Sequence, residues 1–161
     1  MLNIIEGNLK INESNKFAIV VSRFNEFITE KLLDGCIQTL ANNGIEMKHV
    51  DIIKVPGTFE IPTMAGNLVD LEKYSAIICL GCVVRGETSH YDHICNAVSN
   101  EICRLGTESR IPVIFGILTC ENIGQAMDRA GGSKGNKGSE SALAAIEMVN
   151  LLKDIKIVCL S

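Results

Sequence analysis

The sequence predicts an α/β protein whose parallel sheet is covered by helices on both faces. Apolar runs that are typical of buried strands recur at Phe17–Val21, Met47–Val55, Ala76–Leu80 and Val113–Leu118. A segment with apolar residues three or four positions apart, which is typical of an amphipathic helix, follows each run. Strands that alternate with helices of this length form parallel sheets, because each helix returns the chain to the end of the sheet where the next strand begins.

The composition indicates one folded domain over residues 1–161. Hydrophobic residues make up 47% of the chain and charged residues 21%, which argues against disorder and against a coiled coil. The net charge is -4 and no basic stripe is interleaved with aromatic residues, so we expect no nucleic-acid partner. No apolar run approaches the roughly 18 residues of a membrane span, and the N-terminus does not resemble a signal peptide. We therefore expect a cytoplasmic protein with no membrane partner.

The cysteine and histidine patterns give no strong metal or redox signal. Seven cysteines are scattered through apolar segments, as expected for buried thiols in a reducing compartment. Cys79 and Cys82 form a C-x-x-C pattern, but on a strand they would lie about 10 Å apart on opposite faces, too far for a disulfide. His90 and His93, with Asp92, are the best metal candidates. A helical i, i+3 pair without a clear third ligand is a weak signal.

The first half of the chain divides into an N-terminal strand and two βα units. Leu2, Ile4 and Ile5 alternate with polar residues and predict a short edge strand that ends at Gly7 and pairs outside its own subunit. The first long strand leads into a helix marked by apolar residues from Ile28 to Leu40 and closed by Asn43 and Gly44. The second strand is followed by a turn at Pro56-Gly57 and a helix over Ile61–Leu71, with Pro62 in its first turn.

The second half contains two more βα units and a final helix. The strand Ala76–Leu80 runs into a polar strand-to-helix turn, Arg85–Ser89, before a helix marked by Ile94, Val98, Ile102 and Leu105. After the fourth strand, a short helix is predicted from Glu121 or Asn122 to Ala130. The glycine-rich segment Gly131–Gly138 is predicted as a loop, and it lacks the spacing of a nucleotide-binding P-loop. A last helix spans Leu143–Leu152, and the tail Ile155–Ser161 is left unassigned.

The strand-to-helix turn is the best candidate for a ligand site. In an open parallel sheet such a turn lies at the carboxyl end of a strand, where ligands bind and where a helix offers free N–H groups to an anion. Thr88 or Ser89 is expected to cap the helix, which places His90 in its first turn, facing the same cavity. A capped helix with a surface histidine explains the pattern equally well, so support has to come from the other strands.

Polar and aromatic residues follow the other strands at the same edge of the sheet, at Phe24-Asn25, Thr58–Glu60 and Phe115–Thr119. Phe24 suits stacking on a flat heteroaromatic ring, or else it covers the core beneath its own loop. Glu60 is either an acceptor for polyol hydroxyls or a partner of a helix dipole.

Cationic side chains near the end of the chain are candidates for an anion site. Arg129, with Lys134 or Lys137, would complete such a site with the N–H groups of the turn, unless these side chains are solvated surface charges.

Five blocks, in chain order, resemble the 6,7-dimethyl-8-ribityllumazine synthase family. They are VSRFNE at Val21–Glu26, VPGTFEIP at Val55–Pro62, GCVVRGETSHYDHI at Gly81–Ile94, PVIFGILT at Pro112–Thr119, and DRAGG with GNKG within Asp128–Gly138. The resemblance implies a flavodoxin-like three-layer α/β/α sandwich with a four-stranded parallel sheet. It implies a transferase that condenses 5-amino-6-(D-ribitylamino)uracil with 3,4-dihydroxy-2-butanone 4-phosphate, with no cofactor or metal. The product would be 6,7-dimethyl-8-ribityllumazine, formed in the penultimate step of riboflavin biosynthesis.

The resemblance also implies roles for individual residues. Phe24 and Asn25 would hold the pyrimidine, with the Phe24 ring stacked on it, and His90 would transfer protons. The ribityl chain would bind to Thr58, Phe59 and Glu60. The edge of the ring would bind to Cys82, Val83 and Val84. Glu87, Thr88 and Arg129 would take the phosphate, while Phe115 would enter from a neighbouring subunit, with Lys137 close by. The chain departs from the commonest family pattern at Glu87, Ser89 and Cys120, and a Glu87 carboxylate would repel a phosphate unless it points away.

Assembly is a further expectation from the resemblance. In such proteins the N-terminal strand joins the sheet of the adjacent subunit, and a pentamer carries one site at each interface. The short Gly131–Gly138 segment favours a hollow icosahedral capsid built from pentamers. Two other functions on the same fold remain open, which are a non-catalytic flavin-binding or carrier protein and a purely structural shell subunit.

Overall fold

Four parallel strands form a central sheet in the order β2-β1-β3-β4. The computed structural model describes the backbone of residues 2–160 and the side chains of residues 2–157. The strands of the sheet are β1 (Phe17–Ser22), β2 (Val50–Val55), β3 (Ala76–Val84) and β4 (Val113–Cys120). The helices are α1 (Glu26–Asn42), α2 (Ile61–Asp70), α3 (His90–Glu108), α4 (Ile123–Asp128) and α5 (Lys137–Leu160). The predicted α/β class and four-stranded parallel sheet are confirmed, and the arrangement is a flavodoxin-like sandwich.

Two hydrophobic layers cover the two faces of this sheet. Alternate residues of β1 and β3 pack with α1 and α5 on one face, as Ile19 and Ile78 do. The residues between them pack with α2 and α3 on the other face, as Val20 and Ile77 do. Both strands are buried on both faces, which explains why their sequences are continuously apolar. Each fully buried Ile or Val contributes about 1.5–3 kcal/mol through the area that it removes from water.

The cysteines of the C-x-x-C pattern lie on opposite faces of the sheet. Cys82 belongs to the layer beneath α1 and α5, whereas Cys79 belongs to the layer beneath α2 and α3. Both are free thiols in the structure. The expectation that they cannot form a disulfide with each other is confirmed.

Several predicted boundaries were wrong. The second strand begins at Val50, because Met47–His49 forms a 3-10 helix. The central strand continues four residues beyond its predicted end to Val84, because Cys82, Val83 and Val84 pair with the end of β4. The short helix α4 ends at Asp128. The tail from Ile155 onwards is not a separate segment, since α5 continues through Leu160.

The glycine-rich segment is not a loop but a small antiparallel hairpin followed by the start of a helix. Its strands are β5 (Ala130–Gly132) and β6 (Gly135–Asn136). Gly131 and Gly135 have φ values of 104° and 79°, which glycine adopts without the steric penalty of a side chain. Helix α5 begins directly afterwards at Lys137.

Residues 2–16 form no strand within this chain. Leu2 and Ile4 are 94% and 76% exposed. Pairing of this segment with another subunit stays a prediction. Among the helices that the structure describes, none combines the length and hydropathy that crossing a membrane requires.

Candidate active site

A cavity of about 680 Å³ lies at the carboxyl ends of β1 and β3, beneath the turn that follows β2. Most of the residues expected to bind substrate line it, namely Phe24, Thr58, Phe59, Glu60, Cys82, Val83, Val84, Thr88 and His90. The other lining residues are His93, which the sequence suggested only as a weak metal candidate, and Gly57, Gly86, Tyr91 and Ile94, which received no individual ligand-binding role. Two of these, Tyr91 and Ile94, lie one and four residues beyond His90 on the same helix, so the helical period could have indicated Ile94.

Asn25 fixes the loop that carries Phe24. The residue has a left-handed conformation (φ 59°) at the N-terminus of α1, and its Nδ2 donates a hydrogen bond to the Cys82 carbonyl at 3.0 Å. The backbone N–H of Phe24 donates to the Pro56 carbonyl at 3.0 Å. These bonds tie the β1–α1 loop to β3 and to the end of β2. They hold the Phe24 ring, which is 69% exposed, at the mouth of the cavity.

A buried threonine, Thr58, lies in the wall of the cavity. Thr58 is 5% exposed, and its Oγ1 has no hydrogen-bond partner among the described residues. A methyl group added to Gly81 would lie 2.9 Å from this oxygen, so glycine at position 81 allows the close approach. An unpaired buried hydroxyl costs about 1–3 kcal/mol, so the packing around Gly81 holds Thr58 in place at an energetic cost.

The strand-to-helix turn offers free backbone donors at the other side of the cavity. The N–H groups of Glu87, Thr88 and Ser89 make no hydrogen bond within the described chain. The Thr88 hydroxyl accepts a hydrogen bond from the His90 N–H at 3.3 Å, as the sequence predicted, but the Ser89 side chain caps nothing. These donors lie at the positive end of the α3 dipole, so the turn has the backbone features of an anion site.

An arginine clamp at this turn was missed in the sequence. The Arg85 guanidinium donates to both Asp92 carboxylate oxygens, at 3.0 and 3.1 Å, and through Nε to Glu121 at 2.7 Å. It also lies 4.2 Å from the centre of the Tyr91 ring. The hydrogen bonds from Arg85 lower the pKa of Asp92, so this carboxylate stays charged at neutral pH. Glu121 is 36 positions away in the chain, and no local pattern indicates that contact.

Five predicted site residues do not line the cavity of a single chain. Asn25 lies behind the Phe24 loop and Glu87 lies outside the cavity lining. Phe115 is 39% exposed on the edge strand β4. Arg129 donates to the Gln125 carbonyl at 3.1 Å, and Lys137 forms an ion pair with Glu140 at 2.8 Å. The roles of these residues stay predictions.

The titratable groups around the cavity include one buried thiol and two histidines. Burial raises the pKa of the Cys82 thiol to about 12, so the thiol is neutral at physiological pH and is a poor nucleophile. His90 and His93 both line the cavity. In the part of the chain that the structure describes, no group of three His, Cys, Asp or Glu side chains is placed to hold a metal ion.

The fold and the cavity together indicate a general class of protein. A flavodoxin-like sheet with a ligand cavity at the carboxyl ends of its strands is typical of proteins that bind small molecules at that edge. The family model described as 6,7-dimethyl-8-ribityllumazine synthase matches residues 14–153. The chain therefore belongs to the 6,7-dimethyl-8-ribityllumazine synthase family, which indicates a transferase-type enzyme of riboflavin biosynthesis.

Proposed function

We propose that this protein condenses 5-amino-6-(D-ribitylamino)uracil with 3,4-dihydroxy-2-butanone 4-phosphate to 6,7-dimethyl-8-ribityllumazine. The observation that carries the proposal is the lining of one cavity by residues from three of the five family-like blocks. The cavity offers an aromatic ring, a carboxylate with a buried hydroxyl, and free backbone donors. These features match a heteroaromatic ring, a polyol chain and a phosphate, respectively.

The pyrimidine substrate binds between the Phe24 loop and the end of β3. The exposed Phe24 ring stacks on the pyrimidine, which repays the cost of holding an aromatic side chain in water. Cys82, Val83 and Val84 line the cavity at the strand end and contact the edge of the ring, largely through their backbone. Thr58, Phe59 and Glu60 line the cavity and hold the ribityl chain, and the Glu60 carboxylate accepts hydrogen bonds from its hydroxyls.

The phosphate of the second substrate binds at the strand-to-helix turn. Free N–H groups and the α3 dipole favour an anion there. In this proposal the Glu87 carboxylate points away from the phosphate, and the residue contacts the ligand through its N–H group alone. Glu87 does not line the cavity of the single chain. Arg129 supplies the positive charge that backbone donors alone lack.

His90 transfers protons during the reaction. The amine of the pyrimidine attacks the ketone and water leaves, phosphate is then eliminated, and the second amine closes the ring with loss of another water. An imidazole ring can both donate and accept a proton, which suits these steps. His90 begins α3 and lines the cavity beside Thr88, in reach of a ligand held by the turn.

The functional unit of the proposal is a homo-oligomer. Phe115 and the apolar residues Leu2 and Ile4 are exposed in the single chain, and exposed apolar edges favour pairing with another subunit. A pentamer would let Phe115 of one subunit complete the cavity of the next, with Lys137 nearby. The shortness of the β5–β6 hairpin supports association of pentamers into a capsid.

Mixing the purified protein with both substrates tests the proposal. The expected result is formation of the fluorescent lumazine together with release of phosphate. A flavin carrier or a structural shell subunit would give neither. Replacing His90 by alanine should lower kcat by roughly 10²–10⁴-fold and leave both KM values within a few-fold. The matched control is His49→Ala, which removes a histidine far from the cavity and should change nothing.

A further inference from the structure

Arg85 holds together two segments that meet only through the fold. Its guanidinium forms a two-pronged contact with Asp92 in the first turn of α3, at 3.0 and 3.1 Å. Its Nε donates to Glu121, which follows β4, at 2.7 Å. The Arg85 backbone N–H also donates to the carbonyl of Cys120 at 2.9 Å. The start of α3 is therefore tied to the end of β4 through one residue.

A continuous set of hydrogen bonds extends from this clamp to Arg129. The Glu121 backbone N–H donates to the side-chain oxygen of Gln125 at 2.9 Å. The carbonyl of Gln125 accepts a hydrogen bond from the Arg129 guanidinium at 3.1 Å. All of these bonds lie within or beside α4, which is only six residues long. Arg85 thus connects the free N–H groups of the strand-to-helix turn with the cation expected to share the same anion.

The chemistry of the clamp suits positioning better than stability. Exposed ion pairs contribute little to the free energy of folding, because water screens them and the side chains lose entropy. A guanidinium fork fixes direction as well as distance, and stacking on Tyr91 adds a further constraint on its plane. Arg85 fixes geometry but adds little stability, so we expect its main effect on ligand placement at the site. There, a misplacement of about 1 Å can cost 100-fold in rate.

We infer that Arg85 is a positioning residue that sets the strand-to-helix turn and α4 in the relative placement needed to bind the phosphate of the second substrate. The inference rests on the proposed function. Arg85 itself touches no substrate, since its side chain is engaged by Asp92 and Glu121 and it is absent from the cavity lining. It acts through the placement of the turn and of Arg129.

Steady-state kinetics of Arg85→Gln and Arg85→Lys test the inference, with inorganic phosphate as a competing probe. Arg85→Gln should raise the KM of the phosphate substrate and the inhibition constant of inorganic phosphate about tenfold or more. The KM of the pyrimidine substrate should stay within about twofold. Arg85→Lys should show a smaller loss, because lysine keeps the charge but not the fork. The matched control is Arg104→Gln, which removes a similar arginine fork on the surface of α3 and should leave all constants unchanged.

Further variants separate positioning from a general structural role. Glu121→Gln weakens the same link at an exposed side chain, because it replaces a charged acceptor by a neutral one. It should raise the phosphate KM in the same direction, which keeps the test valid if Arg85 variants fold poorly. In an Arg129→Gln background, Arg85→Gln should have little additional effect, because both act on one phosphate contact.

The outcomes also distinguish this inference from the proposed function. An unchanged phosphate KM in Arg85→Gln, or in Glu121→Gln if the former does not fold, would overturn the inference, as would an equal rise in both KM values. Wild-type protein that makes no lumazine would refute the proposed function itself.

Discussion

Replacing Asn25 tests how the β1–α1 loop is held over the cavity. In Asn25→Ala the hydrogen bond to the Cys82 carbonyl is lost, which costs about 1 kcal/mol net. Alanine at φ 59° adds about 1 kcal/mol of left-handed strain, which an asparagine side chain tolerates better. The expected loss is therefore about 2 kcal/mol for Asn25→Ala. Asn25→Gly loses the same hydrogen bond, but glycine adopts the left-handed conformation without strain. Its loss of unfolding free energy should therefore be about 1 kcal/mol smaller than that of Asn25→Ala.

Urea unfolding of both variants measures this difference, and Glu72 provides the control. Glu72 is the other non-glycine residue with positive φ among the described residues (50°), and its side chain makes no hydrogen bond within them. Glu72→Ala and Glu72→Gly should therefore differ by the same amount, while neither shows the loss due to the hydrogen bond. Equal stabilities of Asn25→Ala and Asn25→Gly would refute the left-handed strain argument. Stability of Asn25→Gly equal to wild type would refute the contribution of the hydrogen bond.

Three other perturbations follow from the structure. The hydrogen bond from Tyr74, together with two lysines, lowers the pKa of Asp51 to about 2, so the stability that this carboxylate contributes is present above pH of about 4 and is lost as pH falls towards 2. Asp51→Asn should lower the free energy of unfolding at pH 7 by about 1 kcal/mol after allowance for solvent screening. It should also weaken the dependence of that free energy on pH between about 4 and 2, and an unchanged acid transition would contradict this. Gly138→Ala would place a methyl group 1.8 Å from a carbonyl oxygen of α1 and should destabilise by about 2 kcal/mol or more, whereas Gly106→Ala, in an open helical position, should be neutral or stabilising by thermal unfolding. Deleting Met1–Glu6 should lower both the mass measured by light scattering and the activity, and a wild-type monomer with full activity would rule out the shared site.

The fold was predictable because the two central strands, β1 and β3, are buried on both faces. A strand such as β1 has no polar alternation, and its sequence therefore differs from that of every helix that follows. The end of β3 was not predictable by the same reasoning. Val83 and Val84 are only partly buried, and they belong to the strand because they pair with Thr119 and Cys120, which are more than 30 positions away. Pairing between distant segments leaves no local signature.

The same distinction applies to the site. Phe24, Glu60 and His90 line the cavity as expected, because each lies in or at the end of a connection from a strand to a helix, and all carboxyl ends of a parallel sheet meet at one edge. The Arg85 clamp was missed because Glu121 is brought to it by the β3–β4 pairing, and nothing near Arg85 in the chain distinguishes it from a solvated arginine. The β5–β6 hairpin was missed because glycine-rich sequences favour turns, and a pairing this short makes little use of side chains.

A site shared between subunits, as proposed, would have a thermodynamic consequence for assembly. The free N–H groups of the strand-to-helix turn carry only partial positive charges. The cations Arg129 and Lys137 are engaged by partners in their own segments. If a neighbouring subunit supplies Phe115 and brings these cations to the ligand, the ligand binds the assembled form more tightly than the single chain. Linkage then requires the reverse as well, because a ligand that prefers the assembly stabilises it by the same free energy. Substrate and subunit association would therefore promote each other.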